Sequence, residues 1–151
     1  MRMLREILIT LILAVVIFFV LQFTVQSFIV VGDSMQPSLH EGQRLLINKV
    51  VYQLHEPERG DVIVFKPPGD QQVDYIKRVI ALPGEAVEVK GGKVYIYKND
   101  SVLVLDEDSY ISAPPRYTLS KHRVPEDSYF VLGDNRNNSN DSHNDWTVPR
   151  E

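Results

Sequence analysis

The stretch Phe28-Ile29-Val30-Val31-Gly32-Asp33-Ser34-Met35-Gln36-Pro37-Ser38-Leu39 decides the fold, because a long apolar run ends here and a chain of short segments begins. Glycine lets the backbone approach its neighbours closely and proline stiffens the exit of a turn. We therefore expect Ser34 to lie on a constrained turn, where a serine can act as a nucleophile. Serine beside glycine and proline is also common in ordinary turns, so the stretch alone leaves the role of Ser34 open.

Residues 7–23, upstream of this stretch, are apolar except for Thr10 and Gln22. Together with the flank that reaches Val31, they are long enough to cross a hydrocarbon core, which needs about 20 apolar residues. A cleaved signal peptide is the alternative, because the N-terminus is basic. However, the run is long for such a peptide and no Ala-x-Ala-like site follows it.

We expect this segment to be an uncleaved transmembrane helix over residues 7–27. Arg2 and Arg5 precede it, and basic residues favour the cytoplasmic side of a membrane. Residues 1–6 would then be cytoplasmic, and residues 28–151 would form a domain outside the cytoplasm.

The composition limits what such a domain can be. A chain of 151 residues suits one modest domain with appendages. The net charge of −4 and the lack of a basic stripe argue against a nucleic-acid-binding protein, which needs cations to displace counterions from phosphates. The absence of cysteine removes disulfides, thiolate metal sites and a thiol nucleophile together. The domain should therefore be stabilised by its hydrophobic core.

Short β-rich runs broken by proline and glycine follow residue 44 and predict a mainly β, antiparallel domain. A tight hairpin is expected at Gly91-Gly92, because glycine supplies the positive φ angles of a primed turn. Asp106–Pro125 has little periodicity and is predicted to be a long surface excursion. The candidate strands are Arg44–Tyr52, Asp61–Phe65, Val73–Ala81, Ala86–Lys90, Lys93–Lys98, Val102–Leu105 and Tyr129–Leu132.

A serine nucleophile needs a base, and the candidates are the four histidines and any desolvated lysine. Lys77 shares one face of a predicted strand with Tyr75 and Val79, because every second side chain of a strand points to the same face. We therefore expect it to lie among apolar neighbours. Desolvation disfavours the ammonium and lowers the pKa of a lysine. The alternative is a lysine at a strand edge that extends into water. Both Ser-x-x-Lys and Gly-x-Ser-x-Gly are absent, because Gln36 and Pro37 occupy the deciding positions.

Four segments carry a recognisable pattern in a fixed order: Gly32–Leu39, Arg59–Phe65, Asp74–Glu85 and Gly133–Ser142. In this order they resemble the bacterial type I signal peptidases, or leader peptidases, which are serine proteases with a serine–lysine dyad. The resemblance extends from the apolar segment to the C-terminus. It implies a signal-peptidase-like antiparallel β domain that follows one transmembrane helix.

The resemblance also implies a role for each matching residue. Ser34 would attack the scissile carbonyl, and Lys77 would be the general base. Ser139 would hydrogen-bond and orient the Lys77 amine, and Asp141 would be a structural acid near the site. The backbone N–H of Ser34 would bind the oxyanion, to which some members add a hydroxyl two residues earlier. The supporting residues are Ser139, Asp141, Arg78 and Gly32.

The function implied by the resemblance is removal of signal peptides from exported preproteins, with cleavage after a small residue. The enzyme would be a single-pass protein of the bacterial cell membrane. Its partners would be signal peptides and the lipid bilayer, and it would need no cofactor. The residues that match the family's shallow substrate pockets are Phe28, Val30, Met35, Leu39, Tyr75 and Ile76.

The Asn-rich loop around Ser139 has the composition of a calcium site, but its pattern is wrong. Arg136 occupies a ligand position, and Ser139 stands where the sharp-turn glycine belongs. Asparagine and aspartate also favour turns through bonds to the backbone. We therefore expect a rigid turn and no metal.

Two features depart from the family pattern. His143 stands where an arginine would pair with Asp141, and Asn144-Asp145-Trp146 replaces an aromatic-glycine continuation. The sequence ends at Glu151, whereas members continue into a final strand, so we expect that last segment to be lacking.

Two alternatives remain. One is another serine–lysine processing protease, of the pilin or repressor type, although the apolar segment occupies the place of a repressor's DNA-binding motif. The other is an inactive, membrane-tethered β domain that binds a partner. The presence of both Ser34 and Lys77 argues against lost activity.

Overall fold

The computed structural model describes residues 2–150, apart from the side chain of Gln53, and it is mainly β after one long helix. The α-helices are α1 (Arg2–Thr24) and α2 (Val51–Leu54), and a short 3-10 helix spans Ser142–Asn144. The strands are β1 (Val25–Ile29), β2 (Arg44–Asn48), β3 (Val62–Phe65), β4 (Tyr75–Ala81), β5 (Ala86–Lys90), β6 (Lys93–Lys98), β7 (Ser101–Val104), β8 (Leu119–Arg123), β9 (Ser128–Leu132) and β10 (Val148–Pro149). The chain divides into two compact units: residues up to Val30 with Gly42–Glu56, and Val31–Glu41 with the residues from Pro57 onward.

In the first unit, α1 is an apolar helix of 23 residues that is long enough to cross a membrane. At 1.5 Å per residue its length is about 34 Å. Its threonines are satisfied within the helix, because the hydroxyls of Thr10 and Thr24 donate to the carbonyls of Glu6 and Val20 at 2.9 and 2.8 Å. The helix therefore exposes an almost wholly apolar surface.

Two predicted boundaries in this unit are wrong. The helix spans Arg2–Thr24 rather than residues 7–27, because Val25–Ser27 pair with β2 as part of β1. The strand predicted to reach Tyr52 ends at Asn48, whose side-chain oxygen accepts a hydrogen bond from the Val50 N–H at 2.9 Å. This turn directs the chain into α2.

The second unit contains two four-stranded antiparallel sheets, so the predicted mainly β fold is confirmed. Their strand orders are β10-β9-β4-β3 and β7-β6-β5-β8. The predicted hairpin joins β5 to β6, with φ angles of 58° at Gly91 and 76° at Gly92. These angles suit the right-handed twist of the paired strands.

Strands β4 and β9 contribute to both hydrophobic clusters of this unit. Phe130 and Leu132 belong to one cluster, and Tyr129 and Val131 belong to the other. On β4, Ile80 and Ala81 belong to the first cluster, and Val79 belongs to the second. This packing fixes the two strands that lead to the candidate site.

The prediction that Asp106–Pro125 is a surface excursion is wrong. The segment contains β8, which pairs with β5, and the fully buried Val124. It also contributes Glu107, whose carboxylate forms two 2.6 Å contacts with the guanidinium of Arg136. β8 has the sequence Leu-Ser-Lys-His-Arg, which lacks the alternating β-branched residues typical of strands. Its strand conformation therefore depends on pairing with the edge of β5.

A second buried ion pair lies beside the first. The Arg78 guanidinium contacts the Asp134 carboxylate at 2.8 and 2.7 Å and stacks on the Tyr110 ring, 4.3 Å from its centroid. The Tyr110 hydroxyl donates to Glu107 at 2.8 Å. These contacts join the segment after β7 to the loop after β9.

We predict that Glu107→Gln lowers the free energy of unfolding by about 3 kcal/mol, because it leaves the buried Arg136 without a counter-charge. The control is Glu126→Gln, which removes an exposed ion pair with Arg123 whose side chains are 74% and 76% exposed. The control should cost less than about 1 kcal/mol. Denaturant titration measures both values, and equal losses would contradict the prediction.

Candidate functional site

Ser34 lies on a hydrogen-bonded turn, as the sequence predicts. The Gln36 N–H donates to the Asp33 carbonyl at 3.1 Å, and the Leu39 N–H donates to the Met35 carbonyl at 2.9 Å. The Met35 side chain is only 2% exposed and attaches the turn to the interior. The backbone around Ser34 is therefore constrained on both sides.

The loop that follows β9 holds this turn from the other side. The Asn135 N–H donates to the Ser34 carbonyl at 3.0 Å, and the Asn135 side-chain amide donates to the Asp33 carbonyl at 3.1 Å. Gly133 leaves no room for a side chain, because a Cβ there would clash with the Ser34 carbonyl oxygen and with Ser139. The two loops are thus in close backbone contact.

Lys77 reaches the Ser34 hydroxyl from β4. Its amine, Nζ, lies 2.8 Å from Ser34 Oγ and 3.0 Å from the Ile76 carbonyl oxygen. The same atom lies 5.0 Å from the centroid of the Tyr75 ring. Lys77 is only 4% exposed, so its amine is shielded from water. It also lies within hydrogen-bond distance of the Ser34 hydroxyl.

Burial changes the proton affinity of this amine. Desolvation lowers the pKa of Lys77 from 10.5 to about 8, while the carboxylates of Asp141 and Asp134 act in the opposite direction. A substantial fraction of Lys77 is therefore the free amine at mildly alkaline pH. A free amine 2.8 Å from a hydroxyl can accept its proton, which is the chemistry of a general base.

Asp141 is fully buried and is hydrogen-bonded through both carboxylate oxygens. One oxygen accepts from the Gly133 N–H at 2.8 Å. The other lies 2.6 Å from His143 Nδ1 and accepts from the His143 N–H at 3.3 Å. His143 therefore contacts the acid that the family arginine was expected to pair with.

Ser139 differs from its expected role. Its hydroxyl is buried and has no hydrogen-bond partner within residues 2–150, so the expected bond to Lys77 is not formed. The Lys77 amine is directed instead at Ser34 and at the backbone carbonyl of Ile76. Ser139 packs against Gly133, where its Cβ lies 2.7 Å from the position that a side chain would occupy.

The other supporting residues have structural contacts. Arg78 is paired with Asp134, and Gly32 has a φ of 83°, which other residues rarely adopt.

Across the described residues, 2–150, no group of three or more histidines and carboxylates is arranged to share a metal ion.

The predicted substrate residues fall into both units. Leu39, Tyr75 and Ile76 are partly exposed in the second unit, and the buried Met35 belongs to the same unit. Phe28, which is half-buried, and Val30, which is buried, belong to the first unit.

One edge of β4 is free beside Lys77. β4 pairs with β3 from Tyr75 to Arg78, but its pairing with β9 begins only at Arg78. Within the described chain, the backbone of Tyr75–Lys77 therefore has no strand on the β9 side. An extended peptide could pair with this edge.

Sequence reasoning gave no role to Gly133, Asn135 or Trp146. Gly133 and Asn135 connect the two loops, and Trp146 packs against Tyr75, with ring centroids 6.4 Å apart. The density of Asn in the loop after β9, with Gly133 at its start, was the available signal for the first two. Trp146 lies outside any periodic run.

Comparisons with known proteins show what this chain is similar to. A sequence model of the family described as signal peptidase, peptidase S26, matches residues 3–151. A probable signal peptidase I-1 of Synechocystis is 50% identical over 119 residues, which are 74% of this chain and 58% of that protein. The signal peptidase I of Leptolyngbya laminosa is 44% identical over 137 residues, which are 85% and 64% of the two chains.

The chain spans about three fifths of the length of these relatives. A crystal structure of a signal peptidase I from Enterococcus faecalis matches 64% of this chain and 92% of that one, with 33% identity and a TM-score of 0.49.

We predict that Gly133→Ala lowers the free energy of unfolding by about 2 to 3 kcal/mol, because the new methyl group overpacks the contact between the loops. The amide NMR signals of Ser34 and Ser139 should shift as the loops separate. Gly69→Ala is the control, because a methyl group on Gly69 would have no atom of another residue within 4 Å. The control should leave both signals in place, although the positive φ of Gly69 will cost it some stability. An unchanged spectrum for Gly133→Ala would contradict the prediction.

Proposed function

We propose, from the premise that this chain belongs to the signal peptidase family, peptidase S26, that it is a membrane-anchored serine endopeptidase that removes signal peptides from exported preproteins. The observation that carries the proposal is the 2.8 Å contact between the buried Lys77 amine and Ser34 Oγ. A desolvated lysine at this distance can take the proton of the serine hydroxyl and so activate it as a nucleophile. Ser34 would be the nucleophile and Lys77 the general base.

In the first half of the reaction, Ser34 Oγ attacks the scissile carbonyl carbon while its proton passes to the neutral Lys77 amine. The carbonyl electron pair moves onto oxygen, which the Ser34 N–H stabilises; Gly32 adds no hydroxyl to it. Collapse of this intermediate breaks the C–N bond. The proton on Lys77 passes to the leaving amine, and an acyl ester remains on Ser34.

In the second half, a water molecule attacks the ester as Lys77 accepts its proton. Collapse breaks the ester C–O bond, and the Ser34 oxygen recovers a proton from Lys77. The proposed supporting residues are Asp141, Ser139 and Arg78. Asp141 and Ser139 lie in the loop after β9, and Arg78 is paired with Asp134 of the same loop. The site is thereby restored with one water consumed.

The substrate would be an extended segment with small residues at positions −1 and −3 from the cut. The free edge of β4 at Tyr75–Lys77 supports this proposal, because main-chain pairing would place the scissile bond beside Ser34. Alternate side chains would then enter shallow pockets. The residues proposed to line them in the second unit are Met35, Leu39, Tyr75 and Ile76.

The apolar helix α1 would anchor the enzyme in the bacterial cell membrane, where preproteins are exported. Arg2 and Arg5 favour a cytoplasmic N-terminus, which would put the peptidase domain on the other side of the membrane. The bilayer would then hold the enzyme close to the membrane-bound signal peptide.

We predict that Ser34→Ala and Lys77→Met each remove nearly all cleavage of a preprotein in detergent, and that the double variant loses no more, since the two residues act as one unit. Lys77→Arg should also fail, because guanidinium keeps its proton near neutral pH. The exposed Lys93→Met is the control. Wild-type turnover by Lys77→Met would refute the mechanism.

The same assay should depend on pH through Lys77. Since only the free amine accepts a proton and the pKa of Lys77 is about 8, kcat/KM should rise about tenfold per pH unit below 8 and level off above it. A profile that is flat between pH 6 and 8 would contradict the role of Lys77 as base.

We also predict that a preprotein with Leu or Phe at position −1 is not cleaved, because a large side chain does not fit a shallow pocket. A preprotein with Ala at this position is the matched substrate. Cleavage is followed by the size and N-terminal sequence of the product. Equal rates for both substrates would refute the small-pocket assignment.

A further inference from the structure

We propose that the charge on His143 sets the fraction of Lys77 that is present as free amine, and that it acts through the carboxylate of Asp141. His143 would be a positioning residue rather than a catalytic one. The inference rests on the proposed function only in giving this amine a catalytic use. The electrostatic coupling itself concerns three described side chains.

The geometry connects the three groups. Asp141 is fully buried, and one of its oxygens lies 2.6 Å from His143 Nδ1. The other oxygen is fixed by the Gly133 N–H at 2.8 Å. Gly133 in turn lies against the Ser34 carbonyl oxygen, and Ser34 Oγ is 2.8 Å from Lys77 Nζ. The Asp141 carboxylate also counteracts the lowering of the Lys77 pKa by burial. A change of charge on His143 therefore alters the field that Asp141 exerts on Lys77.

The His143 ring is partly exposed, whereas Asp141 is fully buried. The His143 side chain is 21% exposed and lines a cavity of about 360 Å³. Its ring stacks on Tyr117 with centroids 4.3 Å apart, which fixes the ring plane. The residues that line the cavity are Arg116, Tyr117, Arg136, Asn137, Ser139 and His143.

The other buried carboxylates near the site have partners that stay charged. Asp134 is paired with Arg78 at 2.7 Å, and Glu107 is paired with Arg136 at 2.6 Å. Arginine remains a cation at any working pH. Asp141 differs, because its partner is a histidine, which can gain or lose charge in the physiological range.

The remaining titratable groups around these residues do not change charge near neutral pH. Burial raises the pKa of the Tyr110 and Tyr117 hydroxyls, so both stay neutral. The Arg116 side chain lines the cavity as a permanent cation. These groups therefore provide a constant background of charge when the charge at position 143 is changed by substitution.

The sign of the effect follows from Coulomb attraction. Beside a neutral imidazole, the Asp141 carboxylate stabilises the Lys77 ammonium with its full charge. Beside a cation, the acid and its partner together are neutral, and Lys77 loses its proton more readily. A permanent cation at position 143 should therefore shift the titration of Lys77 to lower pH than a neutral side chain does.

The test compares His143→Arg with His143→Gln in the full chain in detergent micelles. Lysine is labelled with ¹³C at Cε, and the Lys77 signal is identified by its loss in Lys77→Met. We expect the Lys77 titration midpoint in the arginine variant to lie about half a pH unit or more below that in the glutamine variant. The acid limb of the kcat/KM profile should shift by the same amount.

Arg116→Gln is the matched control, because it removes an exposed cation from the same cavity. It should shift the midpoint by less than a quarter of the difference between the His143 variants. If the arginine variant does not fold, His143→Lys supplies the cation in its place. Equal Lys77 midpoints for the neutral and cationic variants would overturn the inference, as would a loss of rate without a shift of the profile.

The two proposals fail in different ways. Shifted Lys77 midpoints without any cleavage of preproteins would overturn the proposed function and leave the coupling intact. Cleavage that depends on Lys77, with midpoints that do not respond to residue 143, would overturn the coupling alone.

Discussion

The exclusion of water from the Lys77 amine is the constraint on which the rest of the site depends. Hydrated lysine is almost fully protonated at neutral pH and cannot accept a proton from a hydroxyl. The amine is desolvated because Lys77 is only 4% exposed, in a part of β4 that pairs with β3 and places Nζ against the Tyr75 ring and Ser34. The proton affinity of this amine is therefore set by its buried surroundings and not by Ser34 alone.

The second requirement is that Ser34 stay within reach of this amine. The turn that carries Ser34 is held through contacts of its backbone with Gly133 and Asn135, in addition to the buried Met35 side chain. Those contacts hold only if the loop after β9 is rigid. The buried pairs of Asp134 with Arg78 and of Arg136 with Glu107 fix that loop to two other segments.

The alternation of residues along the sequence predicted the strands whose formation depends on their own residues. β6 has the predicted bounds, and alternation along β4 correctly placed Lys77 among apolar neighbours. β8 was missed, because its pairing depends on the open edge of β5 and not on its own residues. The end of α1 was misplaced for a similar reason, since pairing with β2 takes Val25–Ser27 out of an apolar run. Contacts such as those of Ser139 and Glu107 depend on tertiary packing, which periodicity does not encode.

Charge serves two separate purposes around this site. Carboxylates with arginine partners hold the loops together, and their contribution does not vary over the working pH range because both members keep their charge. A carboxylate with a histidine partner lacks a permanent cation beside it, so its effect on a neighbouring amine depends on the charge of that partner. Of the two buried carboxylates that raise the pKa of Lys77, Asp141 has the larger effect, and its partner is a histidine. The chain thus separates the ion pairs that fix the loops around Lys77 from the pair that we propose adjusts the protonation of Lys77.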